Sequence, residues 1–317
     1  MTFKKIFTLL MSTWLIFFGG HVEAKKFPAP YPTAEQDLMD FPQLYPTYSW
    51  LPIPRTEFYE VQVVKIAEAR DKIVRQLFNT EAFDRVTDWT PFTEAGEYYW
   101  QVRVVDKKHK PLSDWSHKKS FTVTTPVKFA VLGDSISHGG ASYVPAGQLS
   151  CQWETYCSVP VKNLARSGDT TQMMLDRFDN DVLPFKPQIL LIMGGVNDIR
   201  MGSKSDDVVK NLEALRDRCL ANDITPVFCT LTSMTPEIML PLGIYLTDGD
   251  WREAREQINN WIMRTPYFVD VAEPLTDAQG YLRAEFTPDG LHPALRGKII
   301  IGETIGKYLS KTFADKI

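Results

Sequence analysis

The sequence predicts two folded parts: an all-β sandwich over residues 27–124, and an α/β domain with a parallel sheet wrapped by helices over residues 127–317. Three observations lead there. Before residue 125, apolar side chains recur with period two in short runs. After it, apolar strand-like runs alternate with helical patterns, which is how a parallel sheet with crossover helices is written. Ahead of both stands a 24-residue leader that belongs to neither.

In that leader, Lys4 and Lys5 form a basic start and residues 6–18 are almost wholly apolar. Gly19 and Gly20 break the run, and Val22 and Ala24 place small residues at the −3 and −1 positions of a cleavage site. The apolar run is shorter than the roughly 20 residues of a spanning helix. Residues 1–24 are therefore read as a cleaved signal peptide. The mature chain is expected to be periplasmic or secreted, with no stable membrane insertion.

The chain has 317 residues, 44% hydrophobic and 23% charged, a composition that suits a globular protein and not a disordered one. Thirty-five Lys and Arg stand against 39 Asp and Glu, a net charge of −4. No basic excess exists to neutralise phosphates, so nucleic acid is excluded as a partner. The cysteines Cys151, Cys157, Cys219 and Cys229 form no C-x-x-C pair and have no histidine nearby in sequence, which argues against zinc. In an exported protein, Cys151 and Cys157 could close a small ring; Cys219 and Cys229 read as buried thiols. Neither pairing is fixed by the sequence.

In the β region, Tyr59, Val61 and Val63 share one face of a strand, and Trp100, Val102 and Val104 alternate with Tyr99, Gln101 and Arg103. Phe121 and Val123 repeat the pattern near its end. The aromatic residues read as sandwich core. From residue 127, strands are expected at 128–132, 160–164, 188–193, 225–230 and 267–271. Helices are expected at 171–182, 206–220, 251–262 and 295–313. Ligands of such sheets bind beyond the carboxyl ends of the strands.

Four stretches stand at or near those ends: Gly133-Asp134-Ser135-Ile136-Ser137, Ala165-Arg166-Ser167-Gly168-Asp169, Gly194-Gly195-Val196-Asn197-Asp198, and Asp289-Gly290-Leu291-His292-Pro293 before the last helix. They hold a hydroxyl, a glycine loop, a side-chain amide, and an acid three residues from an imidazole. Acyl transfer requires that inventory. Each stretch also has a plainer reading. The last could be a β-turn, and Asn197 or Asp198 could merely cap a helix. Occurring together, in order and each at a strand end, they favour chemistry. The dinucleotide and phosphate-loop patterns are missing, and no metal constellation is visible, so neither cofactor nor metal is expected.

At these blocks the sequence resembles the SGNH (GDSL-type) hydrolase family, over residues 127 to about 312. The resemblance implies a flavodoxin-like parallel sheet flanked by helices, with Ser135 as nucleophile, His292 as general base and Asp289 orienting it. It also implies an oxyanion hole built from the N–H groups of Ser135 and Gly168 and the side chain of Asn197. Asp134 is expected to hold the turn. His138 is read as a loop or pocket-wall residue, because no acid is placed to orient it as a base. Trp50, the strand around Tyr98-Tyr99-Trp100-Gln101-Val102-Arg103-Val104, and Trp115-Ser116 resemble a fibronectin type III domain.

The resemblance implies an exported serine esterase that removes short acyl groups, O-acetyl above all, from carbohydrate. A lysophospholipase or thioesterase of the same family is the alternative enzyme, and a non-catalytic carbohydrate-binding protein the alternative outside enzymes. Loops at 140–158 (Tyr143, Trp153, Tyr156) and 236–250 (Tyr245) are candidates to shape the pockets, with packing an equal reading of their aromatics. Met173, Met174, Met234, Met239 and Leu240 fit core packing better than an acyl channel. The short junction Thr124-Thr125-Pro126 suggests packed domains, and residues 127–317 are expected to hold a site that works on small esters without the rest.

Overall fold

The computed structural model describes residues 27–79, 83–139, 146–247 and 249–317, so the leader at 1–24 lies outside the described residues. Seven strands fill the first part: β1 Tyr31–Pro32, β2 Thr47–Leu51, β3 Tyr59–Lys65, β4 Lys72–Phe78, β5 Arg85–Thr87, β6 Gly96–Val104 and β7 Lys119–Val123. They form two antiparallel sheets, ordered β1-β2-β5 and β4-β3-β6-β7. Trp50, Tyr48, Tyr59 and Trp100 are buried in this part, and their rings meet in tilted pairs, Trp50 with Tyr59 at 5.0 Å and Tyr48 with Trp100 at 5.1 Å. The other face of β6 carries cross-strand polar pairs. Glu60 faces Arg103 and Gln62 faces Gln101, and both pairs are hydrogen-bonded.

The second part is a five-stranded parallel sheet. Its strands are β8 Phe129–Gly133, β9 Lys162–Asn163, β10 Ile189–Met193, β11 Thr225–Cys229 and β12 Phe268–Val269, in the order β12-β11-β10-β8-β9. Strands β8 and β10 are buried along their whole length, as the centre of a sheet covered on both faces must be. Around the sheet lie α1 Ser135–His138, α2 Thr171–Asp176, α3 Phe178–Asp181, α4 Val196–Arg200, α5 Ser205–Ala221, α6 Pro236–Met239, α7 Trp251–Ile262 and α8 Leu295–Thr312. In α5, Val208, Leu212, Leu215 and Cys219 form the buried stripe. Among the described residues no helix is long and apolar enough to cross a membrane.

The strand order locates a site before any side chain is considered. From β8 the chain runs outward to β9, then crosses to the other side of β8 for β10. The order therefore reverses at β8, and a crevice opens between the carboxyl ends of β8 and β10.

The helix expected over 171–182 is two helices. Arg177 leaves helical geometry at φ −98°, ψ 2° and separates α2 from α3. The break turns its guanidinium inward, where Asp169 and Asp181 bind it.

Candidate active site

Strand β8 runs directly into Asp134 and Ser135. Asp134 caps α1, its Oδ1 accepting from Ile136 N–H at 2.9 Å. Burial pushes this carboxyl up to about 6 despite that bond. Ser135 is the first residue of α1, and its Oγ lies 2.9 Å from His292 Nε2. His292 Nδ1 lies 2.8 Å from Asp289 Oδ2. Asp289 is 0% exposed and His292 only 16% in its side chain. The other Asp289 oxygen, Oδ1, accepts from the N–H groups of Leu291 and His292 at 3.0 and 2.8 Å. The tight Asp289-to-His292 turn thus fixes the carboxylate on its own backbone and presents one oxygen to the ring. An ionised carboxylate only accepts, so Nδ1 carries the proton and Nε2 is left to accept from the Ser135 hydroxyl.

The second loop starts where Arg166 N–H reaches back to Gly133 O at 3.0 Å. Gly168 has φ +89°, a conformation L side chains rarely adopt, yet a Cβ there would meet nothing within 4 Å among the described residues. Glycine serves the backbone here. Among the described residues the N–H groups of Ser135 and Gly168 have no acceptor.

Asn197 lies inside α4, one residue after its first; Gly195 is the cap and makes no side-chain cap bond. The reading of Asn197 as a mere helix cap is therefore excluded. Its Nδ2 donates to Asp169 O at 2.9 Å, and its Oδ1 accepts from Arg200 Nε at 2.9 Å. Arg200 can only donate, so it fixes which end of the amide points where. Asp198 accepts from Thr171 N–H and from Thr171 Oγ1 at 2.6 Å, which joins α4 to α2. At Gly194, a Cβ would run into the buried Met174 side chain, so glycine allows β10 and α2 to meet there. The structure thus brings Ser135, His292 and Asp289 into one hydrogen-bonded line, with Gly168 on the loop after β9 and Asn197 in the first turn of α4 after β10.

His138 lies at the back of this edge and is buried, which corrects its reading as a pocket wall. Its Nε2 lies 2.7 Å from Tyr45 O and its Nδ1 2.8 Å from Ser167 Oγ. A carbonyl only accepts, so Nε2 carries the proton and Nδ1 accepts from Ser167. Gln43 Nε2 also donates to the His138 carbonyl, Leu44 N–H to Asn163 O at 3.0 Å, and buried Lys162 Nζ to Pro42 O. Residues 42–45 thus pack against the edge of the sheet that carries the site.

The pocket candidates divide. Trp153 is fully buried with its Nε1 donating to Ser137 Oγ at 3.2 Å, while Tyr156 lies against α8 at Gly302. Both are packing. Tyr245 is exposed, and its carbonyl accepts from Arg200 Nη1 at 3.0 Å. Tyr143 lies outside the described residues. Met174, Met234 and Met239 are core; Met173 and Leu240 are exposed. Cys157, Cys219 and Cys229 are free thiols, and burial raises Cys157 to about 11 and Cys219 to about 12. Among the described residues no group of three or more His, Cys, Asp or Glu is arranged to hold a metal. The sequence reading missed Arg200, although its position three residues after Asn197 on one helix face was available to it.

A parallel sheet carrying this serine, histidine and aspartate at its switch point has the form of a hydrolase. The model of the GDSL-like lipase/acylhydrolase family matches residues 131–298, more than half of the chain, and the chain belongs to that family. Among solved structures it is similar to a GDSL-like lipase from Bacteroides thetaiotaomicron, at 20% identity over 58% of this chain and 88% of that one, TM-score 0.48. It is also similar to the lipase/acylhydrolase from Enterococcus faecalis, at 20% identity over 58% and 96% of the two chains, TM-score 0.47. No curated protein matches it in sequence.

His138 sets one pH dependence. Burial, above all, lowers its pKa to about 4, against 6.5 for a free imidazole. Between these values the unfolded chain takes up a proton that the folded chain refuses. Stability is therefore expected to fall as pH drops from about 6.5 to about 4, by a contribution of order 3 kcal/mol. His138→Gln should be less stable than the parent at pH 8 yet lose less over that interval, read from urea midpoints. Parallel losses in both proteins would remove His138 as the cause.

Proposed function

We propose that the protein is an exported serine esterase that removes short acyl groups, O-acetyl in particular, from carbohydrate. The observation that carries this is the line Ser135 Oγ–His292 Nε2–Asp289 Oδ2, with steps of 2.9 and 2.8 Å. Ser135 Oγ attacks the ester carbonyl as its proton passes to Nε2, and the Asp289 carboxylate stabilises the imidazolium that forms. The carbonyl oxygen becomes an anion. The N–H groups of Ser135 and Gly168 and the second Nδ2 hydrogen of Asn197 receive it. Collapse expels the sugar alkoxide, which takes the proton from His292 and leaves an acyl-serine. Water, deprotonated by His292, then releases the acid.

Short acyl groups are supported by the burial of Met174, Met234 and Met239, which pack in the core. Export rests on the leader. The two antiparallel sheets of three and four strands support the fibronectin III-like reading of residues 27–124.

Ser135→Ala and His292→Ala should each cost about 10⁴-fold or more in kcat on p-nitrophenyl acetate, because triad members act as a unit. A Ser135→Ala protein that keeps more than a few per cent of activity would refute the assignment. Asn197→Asp keeps shape but turns a donor into an anion, and should lower kcat by about 10²- to 10³-fold with little change in KM. Near-normal kcat in a folded Asn197→Asp protein would remove Asn197 from the oxyanion hole.

Across p-nitrophenyl esters, acetate to butyrate should be cleaved best. A matched long pocket would instead gain about 0.8 kcal/mol per buried methylene, so kcat/KM climbing steeply beyond six carbons would assign a long-chain acyl substrate.

A further inference from the structure

Trp89 is an exposed tryptophan on a rigid mount. It lies between β5 and β6 and is 50% exposed. Its neighbour Asp88 is buried, bound to Arg75 Nε at 3.0 Å and to Thr90 N–H at 2.9 Å, and donates its own N–H to Pro46 O at 2.9 Å. The ring lies 6.2 Å from the Tyr45 ring and 5.9 Å from the His138 ring. His138 in turn bonds Ser167, the residue before Gly168. The β region therefore places a half-open indole beside the second loop of the catalytic edge.

Arg166 belongs to that loop, two residues before Gly168, and is exposed. Its guanidinium lies 5.6 Å from the Tyr45 ring centre and 5.7 Å from that of Trp89. Two aromatic rings thus hold an arginine that, among the described residues, has no ion-pair partner. Arginines elsewhere on the surface, such as Arg218 and Arg283, pair with carboxylates. A positioned fork of donors with no acceptor suits a planar carboxylate, and an exposed indole suits the apolar face of a sugar ring.

We propose that Trp89 and Arg166, backed by the buried Tyr45 ring, form a carbohydrate subsite on the Gly168 side of Ser135, and that it takes a uronic-acid ring adjoining the acylated sugar. The ring lies on Trp89 and its carboxylate meets the Arg166 guanidinium. This rests on the reading of the site as a carbohydrate esterase and specifies its substrate as an acidic acetylated glycan.

The test uses the full chain with three substrates: p-nitrophenyl acetate, acetylated oligogalacturonate and acetylated xylo-oligosaccharide. The parent should show the higher kcat/KM on the acidic oligosaccharide, with a preference that shrinks as salt rises. Arg166→Gln should raise KM for the acidic oligosaccharide about tenfold relative to the neutral one, with kcat moving less. Arg166→Lys should restore part of the difference. Trp89→Ala should raise KM on both oligosaccharides, and Trp89→Phe should do so less. An unchanged acidic-to-neutral ratio in folded Arg166→Gln overturns the proposal. So does a parent that cleaves p-nitrophenyl acetate but has no preference for the acidic oligosaccharide. A parent that cleaves none of the three refutes the esterase reading instead. The subsite is then judged by calorimetric titration with unesterified oligogalacturonate: tighter binding by the parent than by Arg166→Gln supports it, and equal binding overturns it.

Discussion

A single buried guanidinium holds the catalytic edge of the sheet in shape. Arg177 donates to Gly133 O at 3.3 Å at the end of β8 and to Leu164 O at 2.7 Å just beyond β9. It binds Asp169 at 2.5 Å in the second loop and Asp181 at 2.8 Å in α3. Asp181 also accepts from Tyr45 OH at 2.5 Å, so the same cluster reaches into the β region. A charge taken out of water is costly unless fully paired. Here two carboxylates and two carbonyls meet it in fixed directions. Once those bonds are made, the loop carrying Gly168 has little freedom relative to the strand that delivers Ser135.

That cluster works because the topology has already brought its parts together. Reversal of strand order at β8 puts the ends of β8 and β10 on either side of a crevice. Ser135 follows the first within two residues, and Asn197 follows the second within four. Both strands are buried on both faces, so their ends move little. The β region is part of this mount. Tyr45 accepts from His138 at the far end of the serine's own helix, and the exposed Trp89 is carried by the same region.

Much of this was legible in the sequence, and for a common reason. The sheet strands, the long helices and the four blocks are written locally, in periodicity and in short spacings such as the three residues from Asp289 to His292. What could not be read depends on partners far along the chain. Residues 171–182 have a helical pattern throughout, and nothing local announces that Arg177 will be drawn inward by Asp169. His138 has no acid nearby in sequence; its acceptor is the backbone of Tyr45, 93 residues away. Tyr45 OH finds Asp181 across 136 residues. Backbone carbonyls leave no trace in composition, so the joining of residues 42–45 to the catalytic half was invisible. That Trp89 stands half exposed has no local signature either, because exposure is a property of the fold.

The edge is crowded with acids, and this is the last constraint the site must satisfy. Asp134, Asp169 and Asp289 lie on the turns, and Asp198 in the short helix α4, that follow the strands around Ser135. Burial raises the carboxyls of Asp134, Asp169 and Asp198 above their ordinary range, so these groups are held in low dielectric at a cost. A developing oxyanion would be repelled by any of them left free to face it. Each is instead committed elsewhere: Asp134 to Ile136 N–H, Asp169 to Arg177, Asp198 to Thr171, and Asp289 to its own turn and to His292. Asn197 is turned by Arg200 so that its donor end, not its carbonyl, lies toward the Asp169 backbone and the second loop. The buried acids act as acceptors for the scaffold, and N–H groups are what remains for the reacting carbonyl. Local sign, not overall charge, is then what would suit an acidic protein to the anionic transition state of the proposed ester hydrolysis.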